Sequence, residues 1–92
     1  MPNQQVLTGK QAKRIVRHIE NHIKEYPTNP RLDLTDQDLV KYKQKLKEVV
    51  QTTNSPGAQR KAAWTYELVE KIQYIRRKIH QTKLEILNGK KE

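Results

Sequence analysis

His18 and His22 stand four residues apart, with Glu25 one turn further on. On a helix, two histidines at that spacing share a face and can share a metal ion. The intervening acid is Glu20, at the third position of the run rather than the second, so the zincin pattern H-E-x-x-H is not met. His80 is the only further histidine, and it can join the pair only if the helices align to bring it near. His22 also falls in an apolar seam, where a partly buried histidine is ordinary. The reading is therefore structural, with no metal site. Asp33, Asp36 and Asp38 suggest a cation loop, but no glycine marks the turn and no closing glutamate follows at the end of a twelve-residue loop. Helix capping accounts for Asp36 and Asp38. Ser55 is the only serine, and it lacks the glycines of a nucleophile elbow. Gly9, Gly57 and Gly89 are too scattered for a phosphate-binding loop, and there is no cysteine for a thiolate ligand or nucleophile. Nothing here points to an enzyme or a cofactor.

The chemistry that remains is charge. The 92 residues carry nineteen Lys and Arg against ten Asp and Glu, a net charge of +9. In so small a chain that favours a polyanionic partner: nucleic acid first, an acidic protein second, an anionic membrane surface third. The excess is unevenly spread. Residues 1–31 hold six bases and two acids, residues 32–57 hold four of each, and residues 58–92 hold nine and four.

These charges sit on elements that the spacing defines. The organising stretch is Ala58 to Leu87, thirty residues without Pro or Gly. Within it Thr65, Leu68, Ile72, Ile75, Ile79, Thr82 and Ile86 alternate in steps of three and four, the seam of a heptad repeat. Trp64, Val69 and Leu87 flank that seam. Ser55-Pro56 reads as a cap followed by the first helical residue, and Asn88-Gly89 as the stop. Upstream, Thr8 with Gln11 and Thr35 with Asp38 are capping boxes. Leu7 with Ala12 and Leu34 with Leu39 are the matching hydrophobic staples. Pro27 and Pro30 end the first helix. The expectation is an all-α fold: a single small domain over 1–92, with helices over 8–26, 35–53 and 56–88. Their arrangement is antiparallel and three-helical, with a long C-terminal helix and coiled-coil-like packing.

The long helix exceeds its neighbours by roughly 18 Å at ~1.5 Å per residue. Its end, Gln81 to Leu87, is expected to stand uncovered, or else to bend after Thr82 or be covered by the N-terminal arm. The seam of the first helix is Ala12, Ile15, Ile19, His22 and Tyr26, and its opposite side collects Lys10, Lys13, Arg14, Arg17, Asn21 and Lys24. Lys41, Lys43, Lys45 and Lys47 form a basic run in the sequence but scatter around a helix, and Lys43 falls near the apolar seam. On the long helix, Tyr66, Tyr74, Arg77 and Leu84 define a second face opposite the heptad seam.

Two functions compete. The first is a non-catalytic nucleic-acid-binding protein, with DNA favoured over RNA, holding the phosphate backbone through Lys10, Lys13, Arg14, Arg17, Lys24, Arg60, Lys61 and Arg77. The second is an adaptor or inhibitor that forms a homodimer, or docks on a larger host protein, through Tyr66, Tyr74, Ile79, Leu84, Ile86 and Leu87. A helix-turn-helix made of the second and third helices is a weaker variant of the first, because a recognition helix is usually short. No run is long and apolar enough to cross a membrane, and a cytoplasmic location is expected. The Lys-, Asn- and Ile-rich composition is of the kind frequent in phage and plasmid proteins. It suggests a regulator or accessory factor of a mobile element.

Overall fold

Each helix starts where a side chain can satisfy the orphan amides of a first turn. Thr8 accepts the Gln11 N–H at 3.1 Å, and the Gln11 side chain accepts the Thr8 N–H at 3.1 Å. This reciprocal box opens α1, Gly9–Glu25. Thr35 and Asp38 repeat it, both bonds at 3.0 Å, to open α2, Asp36–Thr52. Ser55 accepts the Ala58 N–H at 3.2 Å, and Pro56 occupies the first position of α3, Pro56–Leu87. Such caps stabilise a helix start by about 1 kcal/mol each. The computed structural model describes residues 6–88 of the chain. The Gly89 half of the expected stop, and the tail beyond it, lie outside the described residues.

The fold is all-α, with three helices joined by short links. Cross-helix contacts fix its direction. Glu20 of α1 reaches Lys61 and Thr65 of α3, and further along Arg76 lies over the Tyr26 ring. The two helices therefore run parallel. Along α2, Asp36 meets Arg76, Lys43 meets Glu70, and the backbone of Val50 meets Gln59. That order is antiparallel, maintained along the whole of α2. Such side-by-side packing is not the steep crossing of a helix-turn-helix, and that variant is set aside. Gly9 permits the α1–α3 approach at this end, since a Cβ there would lie 3.1 Å from the Ser55 Cβ.

The core is Ala12, Val16, Ile19 and Ile23 of α1, Leu39, Leu46 and Val49 of α2, Leu34 from the link, and Ala58, Ala62 and Val69 of α3. For α3 this differs from the expected seam. Its buried side runs through Ala58, Ala62, Thr65 and Val69, while Leu68, Ile75 and Ile79 of the heptad stripe stay exposed and only Ile72 is half-buried. The physical reason is volume. Ile19, Leu39 and Leu46 already fill the space between the helices, so α3 offers its small residues at closest approach. Its large ones turn about a quarter of a turn away. Trp64, expected beside the core, is 73% exposed.

α3 is one continuous helix, and it sets the 58 Å long axis of the molecule. Every described residue after Arg76 is exposed, so the uncovered end begins at Arg77, a full turn earlier than expected. Among the described residues the first ones do not cover it: the Leu7 N–H donates to the Thr52 carbonyl at 3.0 Å, at the opposite end of the bundle. Among the described residues no helix is long and apolar enough to cross a membrane.

Candidate nucleic-acid interface

α1 buries one stripe, at steps of four, three and four (Ala12, Val16, Ile19, Ile23), and this leaves the cations on its far side. Lys10, Lys13, Arg14, Arg17 and Lys24 are all exposed, with the uncharged Asn21 between them. None belongs to an ion pair among the described residues. Glu20, the acid nearest the stripe, is turned toward α3, where it meets Lys61 at 3.9 Å and the Thr65 hydroxyl at 3.5 Å. Glu25, exposed beside Lys24, borders the stripe on its other edge.

Elsewhere some cations are engaged, while Arg31, Lys41, Lys47, Lys71, Lys78 and Lys83 are also exposed and outside the ion pairs among the described residues. Lys43 is half-buried between Glu70 at 3.5 Å and the Gln73 side-chain oxygen at 3.1 Å, and its ammonium lies 5.3 Å from the centre of the Tyr66 ring. Lys45 pairs with Glu48 at 3.8 Å. Arg76 donates to Asp36 at 2.9 Å, and that bond raises its already high pKa. Of the α3 cations assigned to the interface, Arg60 is exposed and unpaired among the described residues. Lys61 is engaged with Glu20 and sits beside α1. Arg77 is exposed but lies on the α2 side, lining a hollow of about 740 Å³ with Asp36, Val40, Tyr74 and His80. The structure therefore does not gather Arg77 with the α1 stripe.

Of the residues assigned to a protein interface, Ile79, Leu84, Ile86 and Leu87 are exposed, at 52%, 44%, 69% and 78%. Tyr74 is exposed too, whereas Tyr66 packs half-buried against the core under Lys43. The expected face of two exposed tyrosines is therefore reduced to one.

The histidine pair resolves into structure as well. His22 Nε2 lies 2.6 Å from the Asp33 carbonyl, which can only accept, so this nitrogen carries the proton and donates. In the neutral ring, Nδ1 is then the acceptor for the Tyr42 hydroxyl, also at 2.6 Å. The imidazole ties α1 to α2 and to the link between them. His18 is exposed, and no group of three His, Cys, Asp or Glu side chains gathers into a metal-binding cluster among the described residues. The three aspartates are each occupied. Asp33 accepts the Leu34 N–H at 2.9 Å, Asp36 holds Arg76, and Asp38 closes the capping box. Burial raises the Tyr42 hydroxyl above its ordinary pKa, and the nearby Asp38 adds to this.

Residues that the spacing did not single out are Lys71 and Lys78. At ~100° per residue they share the azimuth of Arg60, and both are exposed. A period of seven or eleven residues on one helix was the available signal. Comparison of the chain with protein-family models, with curated proteins and with solved structures finds no match.

Proposed function

We propose that the protein is a small, non-catalytic nucleic-acid-binding protein that grips the phosphate backbone with α1. The carrying observation is the stripe of Lys10, Lys13, Arg14, Arg17 and Lys24, all exposed and free of ion pairs among the described residues. Arg60 and Lys61 extend the positive surface at the start of α3, and Arg77 adds a separate contact from its other side. Binding of this kind reads charge and shape rather than base sequence, because few base-reading side chains lie among the cations. Duplex DNA is the favoured ligand, in a cytoplasmic setting. The composition suits a regulator or accessory factor of a phage or mobile element.

Five phosphate contacts on a DNA duplex correspond to a log–log salt slope of about −4.5, at about −0.9 per contact. Titrating a generic duplex at two or more salt concentrations measures it. Reversing Arg14→Glu and Arg17→Glu together is expected to weaken binding at least ~10-fold at low salt and to flatten the slope by about 2. The α2 control Lys45→Glu/Lys47→Glu is expected to change binding much less. A shallow slope in the parent protein, or unchanged binding after the α1 reversal, would remove the proposal.

A second reading rests on a different observation, the exposed apolar residues of α3. They favour a protein-interaction module, either a dimer or an adaptor or inhibitor docked on an acidic host protein.

A further inference from the structure

We infer that a second copy of this chain covers the apolar stripe of α3, with the two α3 helices antiparallel and each free end lying on the other's embedded half. This deepens the protein-interaction reading and is independent of the nucleic-acid one. The stripe is Trp64, Leu68, Ile75, Ile79 and Ile86, exposed at 73%, 37%, 54%, 52% and 69%. At ~100° per residue all five fall within about 60° of arc, roughly a third of a turn from Ala62 and Val69 on the buried side. That direction is where a further helix of a bundle would pack, beside α1. The stripe runs without interruption past Arg76, where α1 and α2 cease to cover α3. A surface of large aliphatic residues and the chain's one tryptophan, repeating in heptads, is suited to another helix with the same period.

Length and charge select the occupant. The free end, residues 77–87, is about 16 Å long at ~1.5 Å per residue. A twofold axis near Arg77 lays it on residues 67–77 of the second copy, and the reverse, as a self-complementary contact requires; Trp64 lies beyond the end of that contact. Ile72, Ile79 and Ile86 then occupy one seam position, and Leu68, Ile75 and Thr82 the other. Leu68 meets the second copy's Ile86, Ile75 meets Ile79, and Ile72 meets Thr82. In this register Lys71 faces Glu85 of the second copy, and Glu85 faces Lys71. Lys78 meets its own equivalent near the axis, while Arg76 is turned away toward Asp36. The parallel alternative sets Lys78 opposite Lys83 in both directions and gives Lys71 no carboxylate, and such flanking pairs decide helix orientation. The Tyr74 and Leu84 face lies outside this contact.

Light scattering after size exclusion should give twice the 10.9 kDa chain mass. The chain has no cysteine, so Leu68→Cys and Ile86→Cys variants report orientation directly. Neither should cross-link alone under mild oxidation, and a mixture should form the mixed disulfide. Lys71→Glu should weaken the dimer roughly tenfold by opposing Glu85, and the swap Lys71→Glu/Glu85→Lys should restore it. In a parallel dimer no carboxylate faces Lys71, so Lys71→Glu would not weaken association. Disulfides within either single variant, or that indifference to Lys71→Glu, would overturn the antiparallel arrangement while leaving self-association in place. A folded monomer at every concentration tried, helical by circular dichroism, would overturn the inference and leave a host protein as the stripe's occupant.

Discussion

α1 and α2 have the same length, open on the same reciprocal threonine cap and bury one apolar stripe each, yet their outer surfaces differ in kind. The lysines of α2 are offset by acids: Lys43 and Lys45 are in ion pairs, and Asp36 and Asp38 occupy the first turn. α1 carries no acid in its first turn, and its outer cations stand unpaired among the described residues. The fold therefore does not require an unneutralised stripe, because a helix of equal length in the same bundle does without one. That difference between the solvent sides of two equally placed helices is what the proposed binding role of α1 rests on.

That contrast rests on both helices being equally committed to the core. Ile19→Ala and Leu46→Ala, at side chains 1% and 0% exposed, are each expected to lower stability by about 2–5 kcal/mol, measured by urea denaturation. If Ile19→Ala proves nearly neutral, α1 is a loosely docked arm and the comparison with α2 fails. Removing the caps is a smaller perturbation. Thr8→Ala and Thr35→Ala should each lose about 1 kcal/mol. A much smaller loss at Thr8 would indicate that α1 is held by the Leu7–Thr52 contact rather than by its own first turn.

Acid should separate the two boxes, with the smallest effect of the set. The Thr35 backbone N–H, donating to the carboxylate, holds Asp38 below its ordinary value of 3.8. A depressed carboxyl stabilises the fold above its unfolded value and loses that contribution as pH falls through the folded one. The α1 box, built with Gln11, has no group that titrates there. Thermal midpoints followed from pH 5 downward should therefore fall less steeply in Asp38→Asn than in the parent protein. Equal slopes would mean that other carboxylates carry the acid response.

The helix starts and the turns between them were legible because capping and proline effects are local, and Thr8-Gln11, Thr35-Asp38 and Ser55-Pro56 need no tertiary context. The α1 stripe was legible for a related reason: one buried face fixes where every other side chain goes. The inward face of α3 was not. Spacing identifies the stripe with the largest apolar residues, Leu68 through Ile86, whereas packing selects the stripe whose volumes complement the neighbours. Here that is the Ala58, Ala62, Thr65, Val69 side. The same rotation half-buries Tyr66, and Arg77 faces away from the cations of α1.

Trp64 is the only tryptophan in the chain, and within one molecule folding leaves most of its ring in water. Its fluorescence should consequently respond weakly when the isolated chain unfolds. In the antiparallel register centred near Arg77, α3 of the second copy stops short of the ring, so a blue shift on association would mark a different register. The unlabelled protein thus carries an optical gauge of register that is nearly silent to its own denaturation.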